Sequence, residues 1–219
     1  MSSPTSKLSA EQPPLRTSLR SESVVVFKTK ELYGELSNMA GGFPLLVDGV
    51  RISTAEALYQ ACRFPDLPHA QREIIGQHSP MTAKMKSKPY RSSTRADWDE
   101  VRFKIMRWCL RVKLAQHYEE FGRVLLATKD RNIVEQSRKD DYWGAKLQPD
   151  EETLIGQNVL GRLLMELRER LALDLDRQLT VVEPLGVPNF TLLGKPIGTV
   201  TARGVPVPEK PQDDLFVLR

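Results

Sequence analysis

The stretch TRADWDEVRFKIMRWCLRV, Thr94–Val112, carries the longest regular pattern in the chain. Trp98, Val101, Ile105, Trp108, Cys109 and Val112 return at helical spacing, so one face of an α-helix gathers them. Thr94 and Asp97 stand where the N-cap and N3 residues of that helix are expected, a capping box with Asp in place of Glu. Lys104, Arg107 and Arg111 fall opposite, either as an ordinary solvated face or as a stripe that tracks phosphates. An apolar face this long needs other elements to cover it.

Those elements can be read on both sides. Upstream, Val24–Phe27 is β-prone, and Phe43–Val47, Asp48-Gly49 and Val50–Ile52 read as a hairpin. Ser53 or Thr54 caps a helix with Leu58, Tyr59 and Cys62 on one side. Leu67–Gly76 and Pro80–Lys86 read as short helices, with Pro89 as a stop. Downstream, Phe121–Ala127 is a short helix, and Asn158–Leu173 carries a core stripe of Leu160, Leu163, Leu164, Leu167 and Leu171. The expectation is an α+β, predominantly helical single domain with a few short strands. Residues 1–22, rich in Ser, Pro and charge, are expected as a flexible tail, 23–175 as the folded unit, and 176–219 as a Pro/Gly-rich arm with a mobile end.

The bulk properties narrow the function classes. A chain of 219 residues, 40% apolar and 27% charged, suits one soluble core. No apolar run is long enough to span a membrane, and the N-terminus lacks the apolar region of a secretory signal, so a cytoplasmic protein is expected. Cys62 and Cys109 are then expected as thiols, and His69, His78 and His117 show no metal-ligand spacing. No metal or other cofactor is called for. The net charge of +4 permits a polyanionic partner without establishing one.

Some residues are poorly explained as structure alone. YGELSNMAGG, Tyr33–Gly42, is a Gly-rich loop in which Asn38 could bond a ligand and glycines such as Gly34 permit close approach; as structure it is a turn. Glu56 is either a complement to a helix dipole or an acid, and Trp98 either core or a stacking surface. Lys84, Lys86 and Lys88 crowd together, and a lysine beside carboxylates could hold phosphate or act as a nucleophile. KDDYWGAK, Lys139–Lys146, sets two acids and two aromatics in one loop, as a surface turn or as the wall of a site.

Taken together, LSN, STAEALYQACRF, SPMTAKM, DW, KLAQH, LLATKDRNIVEQSRKDDYWGAK and NVLGRLLMELR resemble the NADAR, or YbiA-like, domain family over about Phe27–Leu171. The resemblance implies a YbiA-like fold and N-glycosidase chemistry. One branch of the family is linked to early riboflavin-pathway intermediates. Another pairs with DarT-type toxins and removes ADP-ribose from guanine in DNA. This chain looks more like the second, so its implied partners are the ADP-ribose moiety, ADP-ribosylated DNA and a DarT-type toxin. Glu56, Trp98 and Asp140 match family positions; Ala57 stands where many members have His, and Arg63 and WGAK depart from the riboflavin-branch pattern.

Breaking an N-glycosidic bond builds positive charge on the sugar and negative charge on the leaving base, which a carboxylate and a proton donor respectively oppose. The implied assignment makes Glu56 the acid–base group, Asp140 a stabiliser or ribose ligand, and Lys84 a candidate Schiff-base nucleophile ahead of Lys86 and Lys146. Asn38, Gly34, Tyr59, Trp98, Trp143, Gly144 and Asn158 are the implied substrate-binding residues, with Trp98 and Trp143 stacking on a base. Competing expectations are an N-glycosidase for small ribosylated molecules, a non-enzymatic ADP-ribose reader, and a protein-binding plug.

Overall fold

The structure, a computed structural model, describes residues 14–202. Strands β1 (Arg16–Leu19) and β2 (Ser23–Val26) precede a hairpin of β3 (Leu45–Val47) and β4 (Val50–Ile52). Helices α1 (Ala55–Ala61), α2 (Pro68–Ile75), α3 (Pro80–Ser87), α4 (Trp98–Gln116) and α5 (Tyr118–Leu126) come next. Strands β5 (Asn132–Glu135), β6 (Lys146–Leu147) and β7 (Thr153–Gly156) lead into α6 (Val159–Ala172). Short strands β8 (Val181–Val182), β9 (Thr191–Leu192), β10 (Lys195–Pro196) and β11 (Val200–Thr201) follow. This is the α+β, mainly helical architecture that the sequence predicts.

The core is built around α4. Val101, Ile105, Trp108, Cys109 and Val112 are buried as the spacing predicts, but so are Met106, Leu110, Lys113, Leu114 and Ala115. The helix is covered nearly all round, each large apolar side chain contributing about 1.5–3 kcal/mol on burial. Its predicted basic stripe is therefore broken up. Arg107 pairs with Glu166 of α6 at 2.9 Å, Arg111 is half-buried beside Glu166 and Arg170, and Lys104 stays exposed. The predicted capping box is also replaced. The helix starts at Trp98, and the Asp97 carboxylate grips the buried Arg95 at 2.6 and 3.0 Å instead of a helix amide. Thr94 lies outside the helix, donating to the Arg91 carbonyl.

Parallel β2 and β5 form the inner strand pair, with α6 packed on β5. Asn158, in the left-handed region with φ 49°, accepts from the Glu135 amide at 3.0 Å and donates to the Ile133 carbonyl at 2.8 Å. One turn on, a Cβ at Gly161 would lie 2.1 Å from the Ile133 oxygen, so only glycine lets α6 sit this close to β5. With the Asn158 side chain engaged there, the first α6 amides need other acceptors. The carbonyls of Tyr142 and Trp143 supply them, to Val159 and Leu160 at 3.0 Å each.

The hairpin turn matches its sequence signal: Asp48 and Gly49 both have positive φ, 46° and 77°. Two boundary expectations change. Residues 16–19, expected in the flexible tail, form β1, which pairs antiparallel with β7 in a β1-β7-β6 sheet. The C-terminal arm is partly stranded as expected, yet it completes the core: Val182, Phe190, Leu192, Ile197 and Val200 are buried, and Trp108 donates to the Glu183 carbonyl at 3.0 Å. The remaining tail and the expected mobile end fall on residues 1–13 and 203–219, outside the described residues. No helix among the described residues is long and apolar enough to cross a membrane.

Candidate active site

Glu56 stands in the first turn of α1, whose N-cap Thr54 accepts from the Ala57 amide at 3.2 Å. A first-turn acid usually faces solvent and the helix dipole. Glu56 is instead buried, 4% exposed, and held from both sides. Asn38 donates to its Oε2 at 2.7 Å and Gln60 to its Oε1 at 2.8 Å. Burial raises its pKa above the ordinary carboxylate value; Lys84 and the two amides oppose the rise, and Asp140 adds to it.

The amides that clamp Glu56 carry a second feature. The oxygens Asn38 Oδ1 and Gln60 Oε1 are buried, and no hydrogen-bond donor among the described residues reaches either. Turning either amide over would set its oxygen against the carboxylate, so the orientation is dictated by Glu56. A buried acceptor without a donor costs about 1–3 kcal/mol, which makes these oxygens good acceptors for incoming hydroxyl or N–H groups.

Asn38 is itself aimed from behind. Lys113, buried within α4, donates to the carbonyls of Glu35 at 2.6 Å and Ser37 at 3.4 Å, fixing the loop just before Asn38. Its ammonium lies 4.4 Å from the ring centres of both Phe43 and Phe121, and burial pushes its pKa down to about 7.

Glu135, the last residue of β5, is a site acid that the sequence reading missed. Burial pushes its pKa up to about 7, with the charges of Asp140 and Glu56 adding to the rise and Lys84 opposing it. Three carboxylates and one lysine thus share a region, brought from α1, β5, the loop after β5, and α3. At neutral pH they cannot all ionise cheaply, and Glu135 is the one suited to keep a proton. In sequence it is merely the polar end of NIVE; only the fold, with β5 paired to β2, brings it within electrostatic reach of Glu56.

Asp140 has a structural duty as well as its place among the acids. Its Oδ1 accepts the amides of Tyr142 at 3.1 Å and Trp143 at 2.9 Å, forming the turn that presents Trp143. Asp141 pairs with Lys146 at 2.5 Å, and Lys86 with Glu73 at 2.7 Å, so neither alternative lysine joins the acids as Lys84 does. Trp143 meets the edge of Tyr59 at 5.6 Å, and Tyr59 meets Trp98 at 5.2 Å. The two tryptophans expected to stack on a base thus both touch one buried tyrosine, forming an aromatic wall.

Three expected ligand residues have other work. The Asn158 side chain ties α6 to β5, as described above. A Cβ on Gly34 would fall 2.5 Å from the Thr29 carbonyl group, and one on Gly144 would fall 2.4 Å from the Glu135 oxygen. Both glycines serve close backbone packing, and Gly144 does so directly behind the Glu135 acid. The sequence signal for Gln60 was its place one turn beyond Glu56, on the same helical face.

Buried acids with raised pKa, set beside an aromatic wall on a rigid helical domain, are features of an enzyme site more than of a packing core. Comparison with known proteins narrows that class. The chain belongs to the NADAR domain family, which matches residues 26–172. It is similar to the N-glycosidase YbiA of Escherichia coli, 38% identical over 148 residues, covering 68% of this chain and 88% of that protein. An N-glycosidase of Nostoc punctiforme is 31% identical over 153 residues, covering 68% of this chain and 92% of that protein. A riboflavin biosynthesis protein of Vibrio vulnificus is 31% identical over 159 residues, 72% of this chain and 41% of its own. The NMR structure of E. coli YbiA superposes with a TM-score of 0.58 at 36% identity, over 70% of this chain and 88% of that one. Strands β1 and β8 to β11 lie outside the family match.

Proposed function

We propose that this protein is an N-glycosidase, a hydrolase that releases a base from a ribosyl group joined to it through nitrogen. The observation that carries the reading is Glu56 clamped by Asn38 and Gln60, whose amide oxygens are buried acceptors with no donor among the described residues. Sugar hydroxyls are donors of the kind such acceptors take. The two amide N–H groups favour ionised Glu56, which would stabilise positive charge at the anomeric carbon. Glu135, poised to hold a proton near neutral pH, would protonate the departing nitrogen. Asp140 supports the site as a second negative charge and as the anchor of Trp143. The similarity to two named N-glycosidases supports the same chemistry.

For substrate, we infer ADP-ribose joined to guanine in DNA, the modification that a DarT-type toxin makes. The wall of Tyr59, Trp98 and Trp143 suits a flat base, displaced from its stack before reaction. A second reading is a small phosphorylated N-ribosyl compound. The dispersal of the α4 basic stripe favours it, because that stripe is no longer a track for a DNA backbone. Incubation with a guanine-ADP-ribosylated oligonucleotide, beside free N-ribosyl nucleotides, separates the two. Restoration of unmodified DNA by the parent but not by Glu56→Gln supports the first. Turnover confined to the free nucleotides supports the second, and base release from none of them overturns the N-glycosidase reading.

A further inference from the structure

The aromatic wall is longer than the three rings named so far, and it ends in charge on both sides. Arg63 Cζ lies 5.2 Å from the Trp98 ring, Trp98 5.2 Å from Tyr59, and Tyr59 5.6 Å from Trp143. Trp143 then meets Tyr142 at 5.0 Å, and Arg102 stacks on Tyr142 at 3.7 Å. Glu56, Tyr59 and Arg63 follow one another along α1 and its C-terminal end at helical spacing, and Trp98 and Arg102 sit one turn apart on α4. The same belt therefore runs from the acids to the arginines.

These guanidinium groups are poorly matched by acids. Arg95, Arg107 and Arg177 each pair with a carboxylate. Arg63 donates through Nε to the neutral Thr94 hydroxyl at 2.8 Å. The Arg102 Nε is buried with no hydrogen-bond acceptor among the described residues; its nearest ion partner, Asp99, lies 3.6 Å away and is 87% exposed. Burial lowers the Arg63 pKa; the like charges of Arg91 and Arg102 add to the fall, while Tyr59 and the exposed Asp99 oppose it. Clustered cations at a half-buried rim are costly unless an anion joins them. Guanidinium groups are suited to phosphate, whose oxygens they grip in pairs.

The spacing fits one ligand. Arg63 follows the C-cap of α1, seven residues beyond Glu56 and on the order of 10 Å from it by helical rise, which suits a sugar whose anomeric carbon meets the acids while a group beyond its 5′ carbon meets the arginines. We propose that Arg63 and Arg102, with Arg91 at the rim, bind the 5′-phosphate or diphosphate of the substrate. This deepens the N-glycosidase reading and rests on it for the ligand's orientation. The anion site itself can be tested separately.

Calorimetric titration of the full chain with pyrophosphate, ribose 5-phosphate and ADP-ribose, and with adenosine as a phosphate-free control, provides the test. Parent, Arg63→Gln, Arg102→Gln, Arg63→Lys and Glu56→Gln are compared, with circular dichroism checking the fold of each. The parent should bind pyrophosphate with an affinity that falls as salt rises. Either glutamine variant should weaken pyrophosphate and ADP-ribose by at least tenfold, Arg63→Lys should restore part of the loss, and Glu56→Gln should keep pyrophosphate binding. Tighter binding of pyrophosphate and ADP-ribose than of ribose 5-phosphate assigns the site to a diphosphate. No pyrophosphate binding by the parent, or equal binding by folded glutamine variants, overturns the proposal. Absence of base release with pyrophosphate binding intact overturns the N-glycosidase reading alone.

Discussion

Asn38 Nδ2 and Glu56 Oε2 lie 2.7 Å apart, joining the Gly-rich loop to the first turn of α1. The bond fixes which way the carboxylate faces and leaves the Asn38 oxygen as a buried acceptor with no donor among the described residues. A hydrogen bond to a charged group contributes about 1.5–3 kcal/mol. Asn38→Ala should therefore lower kcat/KM by about 10- to 100-fold while leaving the fold intact. Asn38→Asp should do more, because a fourth acid beside Glu56 raises its pKa further and moves the acidic limb of the pH–rate profile upward. Steady-state base release against pH measures both, and an unchanged acidic limb in Asn38→Asp would count against Glu56 as the ionised group.

Glu135 and Lys113 make opposite contributions to stability. The folded pKa of Glu135 is raised from 4.5 to about 7, so its contribution is fully present below 4.5 and is lost as pH rises through about 7. The folded pKa of Lys113 is lowered from 10.5 to about 7, so its contribution is present above 10.5 and is lost as pH falls through about 7. Together they put a minimum of stability near pH 7. Thermal melts across pH 5 to about 9 should show it. Glu135→Gln should remove the decline on the acid side, and Lys113→Met the rise on the alkaline side. Lys113→Met should also lower kcat, since the Glu35 and Ser37 carbonyls lose the donor that sets Asn38. A steady rise in the parent would contradict the Glu135 assignment, a steady fall the Lys113 assignment, and a flat profile both.

The parts of this molecule that were legible in the sequence are those whose cause is local. Asp48-Gly49 imposes its own turn, Thr54 caps its own helix, and the spacing of Ile105, Trp108 and Val112 needs nothing beyond α4. Glu56 and Asp140 were reached through the family resemblance, and the structure supplies their company. The failures have a common origin in partners that lie far along the chain. Asp97 looks like a cap until Arg95, buried against the distant Pro188 carbonyl, takes its carboxylate. Asn158 looks like a ligand until β5 arrives with a donor and an acceptor. Glu135 has no local mark, because its character comes first from burial in the fold and then from Asp140 and Glu56 on other segments.

Gly144 links the fold to the site through one close approach. A Cβ there would lie 2.4 Å from the Glu135 backbone oxygen, and that contact involves backbone, which cannot swing aside. Gly144→Ala must push the 140–144 loop away from β5, shifting Trp143 and Glu135 together. Overpacking of this kind costs about 1–3 kcal/mol, read as a lower Tm, with an accompanying loss of turnover. Gly41→Ala is the control, because nothing lies within 4 Å of a Cβ there. Equal stability of the two variants would contradict the packing described.

Lys84 decides between two ways of completing the reaction. It is the lysine whose charge acts on both Glu56 and Glu135, while Lys86 and Lys146 are held by Glu73 and Asp141. In the first, the Lys84 nitrogen attacks the anomeric carbon as the bond to the base breaks, giving up a proton to a neighbouring carboxylate while the base leaves with one. The sugar ring of that adduct then opens to an imine, its ring oxygen becoming a hydroxyl, and water later hydrolyses the imine to release the sugar and restore Lys84. Sodium borohydride added during turnover should then reduce the imine and leave the sugar on Lys84, found by peptide mass spectrometry. Lys84→Ala should lose the adduct and at least about 100-fold in kcat, and Lys84→Arg should keep the charge without recovering either. Robust turnover by Lys84→Arg with no adduct in the parent would show that Lys84 acts only through its charge, with water attacking the anomeric carbon directly.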